Sequence, residues 1–189
     1  MLATLYLTLK LTHIFAALAL FAVEGVAAIA FRQARSAKDF AALAGALIPL
    51  KAIMPMAKVV SPLLFLTGLA MMITTWGFQI AWANLALGIY VAVFGVGMRL
   101  DPPWMAALGR AMAGAQGPLT SEAKALLEDR KFYTWTRLRS GLALGLVFLM
   151  TVKPGLLVGI VGVVALAAIW LALGAKPQSA PALVQKAAS

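Results

Sequence analysis

Residues 9–31 read LKLTHIFAALALFAVEGVAAIAF, an almost wholly apolar run that nevertheless holds Lys10, His13 and Glu24. About 20 apolar residues suffice for a helix to span a hydrocarbon core, and this run is longer. An ionisable side chain placed there costs about 2.5–3.5 kcal/mol even on the lenient insertion scale. The spacing explains how the cost is met. Stepping from Tyr6 by alternating four and three residues gives Tyr6, Lys10, His13, Ala17, Leu20, Glu24, Ala27 and Phe31. That step traces one stripe along a helix, and all three ionisable residues fall on it. The pattern predicts a helix whose charged seam faces its neighbours. Ala17 is expected inside the bundle, with Phe15 and Phe21 turned toward lipid or a partner.

The rest of the chain is equally oily. Of 189 residues, 63% are hydrophobic and only 12% charged, more apolar surface than a soluble domain of this size can hide. Ten-residue segments of alternating polarity, the mark of a membrane β-barrel, do not occur. The expected fold is all-α: a polytopic integral membrane helical bundle. A net charge of +10 would suggest nucleic acid in a soluble protein, but here the charges fall between apolar runs. They point to topology and to anionic lipid, with no nucleic acid as partner. The absence of cysteine excludes disulfides, iron–sulfur clusters and thiolate metal sites. The first segment reads as a retained membrane helix and not a signal peptide. Residues 1–9 lack a basic start, and the apolar stretch is too long.

Five spans are expected, at about 4–31, 59–78, 81–98, 133–152 and 155–175, forming one bundle domain over 1–175. Between the first two, DFAALAGALIPLKAIMPMAK has too short an apolar core to cross and is interrupted by Pro49 and Pro55. It is expected as a separate interfacial helix over about 38–50. RLDPPW should stop the third span. Thr120 or Ser121 followed by Glu122 signals a helix start, and that polar helix should run straight into the fourth span. Lys153-Pro154-Gly155 should break the chain before the fifth, and residues 176–189 form an Ala-, Pro- and Ser-rich cytoplasmic tail. Fourteen of the sixteen basic residues lie between spans one and two, between spans three and four or in the first turns of span four, or in the tail. Only Lys10 and Lys153 are left for the other side. The positive-inside rule therefore places the N-terminus outside and the C-terminus in the cytoplasm of a bacterial inner membrane. The pairs Gly141/Gly145 and Gly155/Gly159 would let helices approach closely, and tryptophans near span ends suit an aromatic belt.

Depth divides the seam. Glu24 lies about 16 Å below His13, too far for direct pairing. It is either protonated or paired with an Arg or Lys. His13, the only imidazole, is either bonded to a Thr, Tyr or carbonyl of the next helix or free to bind a ligand. Lys10 and Lys153 share the external level with it, which suits the propionates of a haem or, equally, lipid phosphates. Met150, one turn before Lys153, is the candidate sixth ligand opposite His13. The other methionines (Met54, Met56, Met71, Met72, Met98) read first as packing, although Met and His can also capture Cu(I). No catalytic residue is assigned: there is no second histidine, no P-loop and no nucleophile motif.

The first helix, LKLTHIFAALALFAVEG, and the LMTVKP ending of the fourth span resemble a group of small bacterial membrane proteins. These include the copper-resistance CopD family, its uncharacterised relatives and the HemJ-type protoporphyrinogen oxidases. PLLFLTGLAMM in the second span is similar to the uncharacterised relatives. The resemblance implies that His13 matches the family histidine, a suspected haem or porphyrin ligand in the HemJ type, and that Lys153 matches a Lys-Pro lysine. ALALFAVEG stands where Trp-x-Gly or Trp-x-Ala-Gly usually follows the histidine, so the uncharacterised relatives are the nearest match. Four readings stay open. The chain could hold haem b or a related tetrapyrrole at His13. It could be a non-catalytic accessory subunit packed against other membrane-protein subunits or its own copies. It could be a HemJ-type oxidase, or a copper transporter.

Overall fold

In the computed structural model, which describes residues 2–174, the apolar first segment continues past Arg32 and Arg35 as one 35-residue helix, α1 (Leu2–Ser36). The expected end at 31 is passed because Phe31 and Ala34 are buried, so packing outlasts the apolar composition. After a short turn the Asp39 carboxylate accepts the Ala42 backbone N–H at 2.8 Å and caps α2 (Phe40–Met71). A π-helical turn, Met72–Trp76, extends α2 and is closed by the Gly77 N–H on the Met72 carbonyl at 2.7 Å. Gly77 itself has φ +70°, which a residue with Cβ adopts only under strain.

The interfacial helix expected at 38–50 and the span expected at 59–78 are therefore one element. Pro49, Pro55 and Pro62 all lie inside it. The physical reason is a stripe that runs past them: Leu43, Ala46, Leu50, Ile53, Ala57, Val60, Leu64, Thr67 and Met71, spaced alternately three and four, are all buried or half-buried. The prolines lie off this stripe and are exposed. Each removes one hydrogen bond at a cost of about 3 kcal/mol in an isolated helix. The uninterrupted contact with α1 outweighs it. On α1 the facing stripe is Tyr6, Leu9, His13, Ala16, Leu20, Val23, Ala27, Ala30 and Ala34. It shares every second residue with the expected seam; Lys10, Ala17, Glu24 and Phe31 flank it. Ala17 is half-buried and Phe15 is 62% exposed, as the spacing implied, but Phe21 is half-buried. Ala30 and Ala34 are 0% exposed, and such small side chains let the two backbones approach.

α3 (Ala81–Met112) also overruns its expected end, continuing through Pro102 and Pro103. Trp104 holds the extension. Its ring stacks on Phe132 at 3.8 Å, Phe31 meets both rings edge-on, and its Nε1 donates to the Leu126 carbonyl at 3.2 Å. α4 (Ser121–Leu127) starts at the Thr120 cap, as expected. It does not run into the next helix, because the Asp129 carboxylate accepts the Lys131 N–H at 2.8 Å and caps α5 (Arg130–Val152) anew. Lys153, in the left-handed region at φ 52°, and Pro154 then turn the chain into α6 (Leu156–Gly174). A Cβ on Gly141 would meet Ala167 Cα at 2.9 Å and one on Gly145 would meet Val163 at 2.9 Å, so the first glycine pair does seat α6 on α5. In the second pair only Gly159 is crowded. The end of the fifth span at 175 and the tail 176–189 lie outside the described residues.

No β-strand occurs among the described residues. Four stretches are long and apolar enough to cross a membrane: Ala3–Ser36, Phe40–Trp76, Ala81–Met112 and Leu156–Gly174. The first three exceed the length a bilayer needs, and their surplus gathers at one end. There Phe31, Leu43, Leu108, Leu127 and Phe132 share a core that includes α4. A second core of Met72, Trp82, Ala86, Leu149 and Val163 closes the other end. If the α1–α2 contact carries the fold, Ala30→Leu should destabilise by about 1–3 kcal/mol. Pro55→Ala should be neutral or stabilising. Thermal unfolding in detergent reads both, and a large loss with Pro55→Ala would contradict the continuous helix.

Candidate functional site

A helical hydroxyl has one proton to give, and the Thr67 hydroxyl directs its own back along α2. Thr67, 6% exposed, lies 2.7 Å from the Leu63 carbonyl and 3.1 Å from that of Leu64. Its oxygen also lies 3.0 Å from His13 Nδ1. With the hydroxyl proton directed to the backbone, the Thr67 oxygen can accept from Nδ1–H, and in the neutral ring that tautomer keeps the Nε2 lone pair. The imidazole rests on Gly68, where a Cβ would come within 3.0 Å of its Cε1. The sole histidine is thus oriented by one residue and given room by the next. Ligating histidines are commonly held this way, with the second nitrogen donating to an oxygen.

Toward the end where α1 begins, the other expected site residues separate. Tyr6 meets Trp76 edge-on at 6.2 Å, Trp76 meets Trp82 at 5.1 Å, and Lys153 Nζ sits 5.6 Å from the Trp82 ring centre. Two tryptophans therefore link Tyr6 to Lys153, and the second offers its face to the ammonium. Lys10 is exposed, as is Met150 on α5. Among the described residues no hydrogen bond joins Met150 to His13, and Lys10 has no ion pair. No group of three or more His, Cys, Asp or Glu converges there either.

Glu24 has a partner that sequence reading left unnamed. Arg139 of α5 lies 3.3 Å from the Glu24 carboxylate and also donates to Asp101 of α3. One cation thus serves two carboxylates from two other helices. The three side chains are 17%, 24% and 33% exposed respectively. Asp101 Oδ1 and Arg139 Nε are buried without a partner among the described residues, so the node is polar but incompletely satisfied. Glu24 lies eleven residues past His13, and Lys58 lies nine before Thr67. On antiparallel helices both are about 14–16 Å toward the same end. A level of charge, Glu24, Lys58, Asp101 and Arg139, thus separates the apolar stretches from the core that holds α4.

Thr67 and Gly68 stood in the quoted PLLFLTGLAMM, but only the fold sets them against His13. Asp101 was hidden by its prolines, since Asp-Pro-Pro reads as a helix stop. Arg139 was read as one of many topology charges. The unusual signal was a basic residue inside an expected span, facing an acid inside another. No protein-family model, curated protein or solved structure matches the chain.

Removing Arg139 would leave two carboxylates facing one another. Arg139→Gln should cost about 2–3 kcal/mol, below the 3–5 kcal/mol of a fully buried pair because the node is partly exposed. Glu24→Gln should cost less, since Arg139 keeps Asp101. Thermal unfolding of the purified variants tests the order, and a neutral Arg139→Gln would show that the node is not structural.

Proposed function

We propose that the chain is a five-span bacterial inner-membrane protein, N-terminus outside, that holds haem b or a related tetrapyrrole at His13. The observation that carries the reading is the Thr67–His13 hydrogen bond, which holds the ring and, with Nδ1 donating from a neutral imidazole, would leave Nε2 its lone pair. An imidazole so held would be the residue to bind a haem iron. Bound haem would bring redox or ligand-binding chemistry at iron. The chain's own part is to orient the imidazole, exclude water with the α1–α2 packing and place cations at one end. Lys153 over Trp82, together with exposed Lys10, suits propionates at that end.

Support for the fifth span comes from α5. Its hydropathy is lowered by Arg137 and Arg139, yet Phe132 belongs to one core and Leu149 to the other, so it runs the length of the bundle. Arg139 is neutralised by Glu24 and Asp101. The same His13 contact also fits a second reading, in which the imidazole only ties α1 to α2. The chain would then be a non-catalytic accessory subunit packed against other membrane proteins.

The absorption spectrum of the detergent-purified protein separates the two. A Soret band that His13→Ala abolishes, and that Thr67→Val weakens with about a 10–100-fold loss of haem affinity, is the expected result. Protein that is colourless and takes up no haemin would leave the accessory reading. For topology, cysteines at Phe78 and Gly155 should react with an impermeant reagent in intact cells, and those at Ser36 and Gly117 should not. Labelling of Gly117 from outside would overturn the five-span arrangement.

A further inference from the structure

At the end of the molecule that holds α4, the chain builds a groove of about 310 Å³ from three separate elements. Arg35 reaches it from the last turn of α1, Lys38 from the α1–α2 turn, and Lys124 from α4. Leu119 and Leu127 form its buried apolar floor, and Glu128 stands on its rim. The frame is stitched together by backbone. Asp39 and Pro118 form a bridge, and the Phe40 N–H donates to the Gly117 carbonyl at 3.0 Å. That seam holds Lys38 beside the segment that leads into α4.

The cations are placed for a ligand and not for one another. Among the described residues neither Arg35, Lys38 nor Lys124 forms an ion pair. Arg35 lies over the Tyr133 ring, 4.4 Å from its centre, so its fork is ordered without any carboxylate using its N–H groups. Among the residues that line the groove, three cations face one carboxylate, Glu128, an excess of two positive charges. A planar, singly charged carboxylate would match only part of that excess. A tetrahedral dianion with three or more acceptor oxygens would match it all and could take a donor from each element.

We infer that this groove binds a dianionic phosphate group, either free phosphate or the phosphomonoester headgroup of an anionic lipid.

The test uses the full chain in neutral detergent, titrated with inorganic phosphate, and the same chain with phosphatidic acid vesicles against phosphatidylcholine vesicles. Lys38→Gln with Lys124→Gln, both exposed positions, should weaken binding about tenfold or more. Arg110→Gln with Lys131→Gln removes the same charge outside the groove and should change binding by no more than about twofold. Glu128→Gln should tighten it. Binding of inorganic phosphate that competes with the vesicles assigns the site to phosphate from either source. Vesicle binding that phosphate does not displace, but that the Lys38/Lys124 pair abolishes, assigns it to the headgroup. Equal losses in the groove and control pairs, or no binding above phosphatidylcholine, would overturn the inference.

Discussion

One guanidinium links three helices, α1, α3 and α5, that also share an aromatic core. α1 packs along α2, and α6 packs along α5, but Arg139 of α5 reaches Glu24 of α1 and Asp101 of α3. A charge in a mostly apolar bundle needs its partner in place, because an unpaired one loses water without recompense. Arg139 therefore fixes which face of α5 meets α1 and α3. The node also marks a change in the solvent that each helix has to match. On one side lie long apolar stretches; on the other lie the charged ends of α1–α3, closed over a core of their own.

That second core explains why three helices are longer than a membrane requires. Trp104, Phe31 and Phe132 form a three-ring cluster, and the Trp104 N–H anchors the last turn of α4 at the Leu126 carbonyl. Burial of such rings supplies a local reason for α1, α2 and α3 to stay helical past the apolar stretches, through basic residues and through Pro102 and Pro103. The phosphate-suited groove lies on this region, while His13 lies in the apolar half with the Arg139 node between them. The two candidate sites thus draw on different parts of the chain and different chemistry.

The orientation of His13 follows from Thr67 on the neighbouring helix. Thr67 gives its proton to its own helix and its lone pair to the imidazole. This orients the ring, and Gly68 sets the distance of approach. The linked rings of Tyr6, Trp76 and Trp82 close the bundle beyond it and hand the far end to Lys153.

Composition and periodicity alone determined the helical class, the inward turn of the first helix, the cap at Thr120, the break at Lys153-Pro154 and the Gly141/Gly145 contact. Each of these depends on residues within a few turns of one another, where spacing and propensity decide. The fate of the prolines did not. Whether Pro49, Pro55 or Pro102 ends a helix depends on what its buried face gains elsewhere, and the stripe from Leu43 to Met71 acquires its partner only when α1 lies beside it. The partners of His13 and Glu24 were invisible for the same reason. Thr67 is 54 residues from His13, and Arg139 is 115 from Glu24. Sequence shows that a buried charge must be answered, but only the packing of α1, α3 and α5 chooses the residue that answers it.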